Sequence, residues 1–232
     1  MTMVRLLSAS AVLLLVINCG AFAQPNLQIP GERFEMGSIP QQSVVSHCFW
    51  FTSTGTDTLI INEIKTPCGC QVEPLEKNWI APGDSMLVSI CWDVKKRVGP
   101  TGNYPYIYTN VGPETFRVYL TGTVTREPDA IRPVSVKPFA LDLSKFRERA
   151  VDSLSFRIIN HSDTSYTLTP VSFFVDECDI ILPDSVAARS TAIGTIKVRP
   201  EFLDKEFYRS ITLLLNDTRK TRITIPIKRK IY

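Results

Sequence analysis

The strongest constraint on this chain is a repeat. Strand-like and turn-like segments recur in the same order 106 or 107 residues apart. Phe156-Arg157-Ile158 follows Phe49-Trp50-Phe51 by 107, and Ile196-Lys197-Val198 follows Ile90-Cys91-Trp92 by 106. Leu141-Asp142-Leu143-Ser144 follows Phe34-Glu35-Met36-Gly37 by 107, and Asn216 follows Asn110 by 106. Ile223, Ile225 and Ile227 fall on Phe116, Val118 and Leu120 at 107. A period of that length is a whole small domain, so the pattern predicts two copies of one unit.

The unit itself is a set of short strands. Val45-Ser46-His47-Cys48-Phe49-Trp50-Phe51 alternates, as does 86–92, which sends successive side chains to opposite faces of a pleat. Phe49, Phe51, Ile90 and Trp92 should fill the core, with Phe156 and Val198 doing so in the second copy. Segments 59–64, 104–109 and 116–124 supply further strands. Ser53-Thr54-Gly55-Thr56-Asp57 and Pro82-Gly83-Asp84 carry turn chemistry, and no segment before Val124 sustains a helical period. Many short strands with regular turn signals predict an all-β chain of two tandem immunoglobulin-like antiparallel β-sandwich domains. Their expected limits are 24–125 and 135–232. The polar stretch 126–134, containing Pro128 and Pro133, should be a short linker that makes the pair a rod-like spacer. Residues 145–149 should be a loop.

Residues 1–23 read as an export signal. Arg5 is the positive start, 6–17 is an apolar run too short to span a bilayer comfortably, and Ala21-Phe22-Ala23 is a cleavage site. The mature chain should start near Gln24 and be periplasmic, secreted or held at the cell surface. A lipoprotein signal acylated at Cys19 is disfavoured, because Asn18 stands where a small residue is needed. No later segment holds 18 uninterrupted apolar residues, so no transmembrane segment is expected in the mature chain. A net charge of +3 gives no reason to expect nucleic acid as a partner. The cluster Lys228-Arg229-Lys230 reads as a solvated edge.

The first copy resembles a known family. Phe34-x-Met36-Gly37-x-Ile39, Val44-x-x-His47-x-Phe49-x-Phe51-Thr52 and Thr54-Gly55 are similar to the opening of the bacterial domain-of-unknown-function family 1573. Ile64-Lys65-Thr66-x-Cys68-Gly69-Cys70, Ile80-Ala81-Pro82-Gly83-Asp84-Ser85, Ile90-x-Trp92-Asp93 and Tyr108-Thr109-Asn110 continue the likeness over 34–124. Ser53 departs from the usual asparagine, and the second copy has no Cys-Gly-Cys. The resemblance implies an exported immunoglobulin-like domain and no established reaction.

Chemistry-bearing residues are few. Cys48, Cys68, Cys70, Cys91 and Cys178 remain after export, in a compartment that permits disulfides. Cys68 and Cys70 admit four readings. They could form a strained, reducible bridge, a soft-metal clamp for copper or zinc completed by His47 or Cys91, or a mixed disulfide with a partner; alternatively they are structural, with Gly69 turning a corner after Pro67. Cys48 and Cys91 should face outward on neighbouring strands, where they could form a cross-strand disulfide or stand as two small unpaired residues. Cys178 is the odd thiol. His47 should point inward as a hydrogen-bonded core residue, and His161 should sit in an exposed turn. Asn160-His161-Ser162 and Asn216-Asp217-Thr218 read as turn chemistry.

No nucleophile elbow, phosphate loop or H-E-x-x-H segment occurs, so no catalytic residue, cofactor or enzyme activity is expected. The chain should be a non-enzymatic protein-binding or structural module of the cell envelope, with another envelope or surface protein as partner. The alternative is a metal-handling or thiol-redox protein working through Cys68-Gly69-Cys70.

Overall fold

The computed structural model describes residues 23–94, 96–147, 149–172 and 175–232. The expected export signal, residues 1–23 with Cys19, lies outside them except for Ala23. The described chain is all-β, with two single-turn 3-10 segments, Pro128–Ala130 and Pro200–Phe202, as its only helical elements. Its first half holds β1 (Leu27–Gln28), β2 (Arg33–Pro40), β3 (Val44–Ser53), β4 (Leu59–Lys65), β5 (Cys70–Val72), β6 (Trp79–Ile80), β7 (Ser85–Asp93), β8 (Gly99–Asn103), β9 (Tyr106–Thr109), β10 (Thr115–Arg117) and β11 (Tyr119–Thr125). Its second half holds β12 (Val134–Lys137), β13 (Leu141–Asp142), β14 (Lys145–Phe146), β15 (Arg149–Ala150), β16 (Ser153–Asn160), β17 (Tyr166–Ser172), β18 (Cys178–Ile181), β19 (Ser185–Val186), β20 (Thr191–Val198), β21 (Phe207–Leu215) and β22 (Arg222–Arg229). Segment 145–149, expected as a loop, forms the small β14–β15 hairpin, with Arg147 at positive φ at its tip.

The period seen in the residues reappears as register. One sheet of the first half runs β1-β3-β7-β5, and one of the second runs β12-β16-β20-β18. His47 faces Ile90 in the first, and Leu154 faces Ile196 in the second, displaced by 107 and 106 residues. Phe34 faces Leu120 and Leu141 faces Ile227, both pairs parallel and both displaced by 107. Leu59 faces Ile80, and Tyr166 faces Val186. Even a side-chain bond recurs: Asn110 accepts from Ile60 N at 2.8 Å, and Asn216 accepts from Thr167 N at 3.0 Å. A one-residue slip would turn every core side chain outward, so agreement in register is agreement in what is buried.

Two hydrophobic clusters result. Phe49, Phe51, Ile90 and Trp92 lie in the first; Phe156, Ile158, Ile196 and Val198 lie in the second. Each fills the space between facing sheets with the apolar half of every alternating strand.

The halves do not simply follow one another along an axis. β22 pairs in parallel with β2 through Ser38 and Ile223, so one sheet runs across both, in the order β19-β17-β21-β22-β2-β11-β8. Gly37 makes the approach possible. Its φ is +66°, and a Cβ there would stand 2.1 Å from the Arg222 carbonyl oxygen. The expected spacer geometry gives way to a side-by-side seam.

Candidate functional site

The seam is polar and specific. Ser46 N donates to Ser210 Oγ at 2.9 Å, and Thr224 Oγ1 donates to the Met36 carbonyl at 2.6 Å. Arg222 donates to the Glu35 carbonyl at 2.8 Å and lies 5.4 Å above the Phe34 ring. His47 is buried as expected, but its hydrogen-bond partner belongs to the other half: Nδ1 and Ser172 Oγ are 2.8 Å apart. Its ring stacks on Phe34 at 3.6 Å and meets Phe49 edge-on. Burial, and then the nearby Arg222 charge, push the His47 pKa down to about 4. The imidazole is therefore neutral at ordinary pH.

An ion network closes one end of the seam. Arg209 donates through Nη1 to Glu73 of the first half, and through Nε at 3.0 Å and Nη2 to the two oxygens of Glu177. Burial alone would lower the Arg209 pKa. The hydrogen bond donated to Glu73 and the charge of Glu177 outweigh it and raise the pKa beyond its usual value. Buried charge is tolerated because it is paired and hydrogen-bonded on both sides.

The thiols fall in different places from those expected of a site. All five described cysteines are free. Ser46 faces Cys91 and Cys48 faces Ser89, so Cys48 and Cys91 are diagonal neighbours on β3 and β7. Diagonal Cα atoms lie about 7–8 Å apart, beyond disulfide reach, and of the two readings the unpaired one holds. Both cysteines do lie on the outer face of their sheet, yet both are buried, because the second half covers that face; Cys91 Sγ lies 3.9 Å from the Tyr208 carbonyl. Burial raises the Cys91 pKa to about 12 and raises Cys48 as well, the latter opposed by Ser89 and Arg209.

Cys68 and Cys70 are divided by their turn. Gly69 has φ +89° and Cys70 N bonds the Pro67 carbonyl at 3.1 Å, so the glycine turns a corner. Cys68 is exposed, whereas Cys70 sits in the first core opposite Trp92, with burial raising its pKa to about 12. Cys178 stands in the corresponding place of the second half, opposite Val198, buried and likewise raised to about 12. A core position filled by cysteine in both halves has a packing role. Among the described residues no group of three or more His, Cys, Asp or Glu side chains is arranged to hold a metal ion. His47 bonds Ser172 instead, and Cys91 stands opposite Gln71, beside Cys70 in register.

Sequence reasoning missed Arg209, Glu73 and Glu177, and it misplaced Arg229. Arg229 is fully buried, not at a solvated edge; it donates to the Leu143 carbonyl at 2.6 Å, to the Leu203 carbonyl and to Asp152 at 3.0 Å. Its neighbours Lys228 and Lys230 pair outward with Asp142 and Glu206. The available signal was a lone arginine inside an apolar alternation, in Phe207-Tyr208-Arg209-Ser210-Ile211 and in Ile225-Pro226-Ile227-Lys228-Arg229. His161 is half-buried in its turn, bonded to Ser135 Oγ at 2.8 Å.

Beside the Arg209 network the outer face of β3 and β7 emerges from cover and forms a groove of about 480 Å³. Cys48 and Ser89 lie at its seam end, Trp50 and Leu87 lie further out, loop 73–77 forms one wall, and Asp176 and Arg209 of the second half close it. Trp50 is 47% exposed there.

No curated protein matches this chain. Among solved structures, a protein of unknown function from Porphyromonas gingivalis W83 is similar at 11% identity, with 88% of this chain and 99% of that one covered and a TM-score of 0.36. The ASH / PapD-like domain 7 of human CEP192 is similar at 12% identity over 54% of this chain and 96% of that one, with a TM-score of 0.33. Neither likeness bears on function. Residues 27–124 match the family described as "Protein of unknown function (DUF1573)", which supports the family that the residues of the first half resemble.

Proposed function

We propose that this chain is an exported, non-enzymatic binding or structural module of the cell envelope, made of two copies of one immunoglobulin-like sandwich. The repeated register supports the duplication, since six strand pairings and one asparagine bond return 106 to 108 residues later. The observation that carries the binding role is the groove beside the seam. Side chains from both halves build it, and a tryptophan stands open in its wall. Charged and polar groups elsewhere along the seam are consumed in holding the halves together, and the buried thiols are held far from ionisation. The partner is another protein of the envelope, met on the groove or on a sheet edge.

Protein immobilised after export, with its start mapped near Gln24, should retain the same envelope protein whether or not Cys68 and Cys70 are replaced by alanine. Failure to retain any envelope protein at physiological salt would sink the reading. So would a stoichiometric metal or a thiol-exchange activity lost in Cys68→Ala.

A further inference from the structure

We infer that the groove beside the seam receives an extended, basic segment of the partner protein, seating a lysine or arginine side chain over Trp50 between Glu76 and Asp176. This rests on the binding role proposed above and gives it a ligand chemistry.

The charge of the groove is opposite to that of the chain. The whole sequence carries +3, yet three carboxylates, Glu73, Glu76 and Asp176, line the groove against two cations, Lys77 and Arg209. Arg209 is already spent on carboxylates, whereas Lys77 keeps its charge. Arg209 is held by Glu73 and Glu177, two carboxylates for one guanidinium, and the Lys77 ammonium lies 4.3 Å above the Trp79 ring. Glu76 and Asp176 form no ion pair among the described residues. Three carboxylates against two cations leave the groove lining with one net negative charge.

The same lining includes the apolar and aromatic side chains of Trp50, Leu75, Met86 and Leu87, together with Ser85 and Ser89. An indole face attracts a cation, more strongly once water is excluded, and arginine or lysine stems pack on apolar surface while their heads stay polar. The floor is a sheet face, on which outward side chains repeat every second residue. That spacing matches alternate side chains of an extended peptide. An acidic ligand would meet Glu76 and Asp176 with like charge, and a purely apolar one would leave them desolvated without a partner.

The test uses the whole mature chain and two labelled six-residue peptides, one alternating arginine with leucine and the other alternating glutamate with leucine. Fluorescence anisotropy at physiological salt should show binding of the arginine peptide and none of the glutamate peptide. Trp50→Ala, and the double variant Glu76→Gln with Asp176→Asn, should each weaken binding by about tenfold. Glu114→Gln, an exposed carboxylate outside the groove, should leave it unchanged. Matching circular dichroism spectra would confirm that the variants fold. Equal binding of both peptides, no binding of either, or undiminished binding by the groove variants would overturn the inference. If the arginine peptide fails while an envelope protein is still retained, the groove chemistry is wrong and the binding module stands.

Discussion

Replacing Gly37 by alanine tests whether the seam is a designed junction or an incidental contact. Two costs apply at this position. The left-handed backbone, φ +66°, costs a residue with a Cβ about 1–2 kcal/mol. In addition, the new carbon would lie 2.1 Å from the Arg222 carbonyl oxygen, 2.4 Å from its carbon and 2.6 Å from its Cβ. Backbone atoms cannot rotate aside, so β2 and β22 must separate, and overpacking of this kind costs about 1–3 kcal/mol. Gly31 provides the control. Its φ is +69°, nearly the same, but nothing lies within 4 Å of the position its Cβ would take. Gly31→Ala should therefore cost only the backbone share, and Gly37→Ala about 2–5 kcal/mol in total. For a chain of this size that is roughly a 4–20 °C fall in Tm. Urea unfolding of both variants, followed by circular dichroism, measures the difference between them, which isolates the seam. Equal destabilisation by the two substitutions would refute the claim that Gly37 is present to let the halves meet.

Acid should weaken the seam through His47. Its folded pKa is depressed to about 4 from 6.5, so the unfolded chain takes up the proton first as pH falls. Stability present above pH 6.5 should then fall progressively and be lost by pH 4, by about 3 kcal/mol in all; in His47→Gln, urea midpoints should lose that part of the pH dependence, and an unchanged slope would exclude His47 as its source. Arg209→Met should cost about 3–5 kcal/mol at neutral pH, because Glu177 is left buried beside Glu73 without its cation. Adding Glu177→Gln to that variant should recover part of the deficit by removing the unpaired buried charge, and no recovery would count against the ion network. Alkylation of the native protein followed by peptide mass mapping should mark Cys68 rapidly and Cys48, Cys70, Cys91 and Cys178 only after denaturation. Recovery of a linked Cys48–Cys91 peptide from the non-reduced protein would contradict the diagonal register.

How much of this was legible in the residues depends on the range of the physics involved. Alternation is local, so Phe49, Phe51, Ile90 and Trp92 could be assigned to a core from the residues around them, and the structure buries them all. The same logic put Cys48 and Cys91 on the outer face correctly, and then failed, because a pleat says nothing about what lies against its other side. That face is covered by β21, which lies more than 100 residues away in sequence. The choice between a disulfide and two unpaired cysteines stayed open for a related reason: alternation fixes the face, but register fixes the partner, and a displacement of two residues keeps the face while removing the bond. Cys178 was read as a stray thiol because no Cys-Gly-Cys surrounds it. Pairing opposite Val198 gives it the place that Cys70 holds opposite Trp92, at a displacement of 108, not 107, after one more slip in the repeat. That match makes the first-half motif easier to interpret. If the second half keeps a cysteine in its core without the neighbouring glycine and exposed thiol, then Cys70 is retained for packing. Within that segment, Cys68 and Gly69 have no counterpart beside Cys178, where Asp176 and Glu177 stand. The chemistry that distinguishes the halves has thus to be sought where they meet, at Glu73 and Arg209, and not at the paired thiols that first draw the eye.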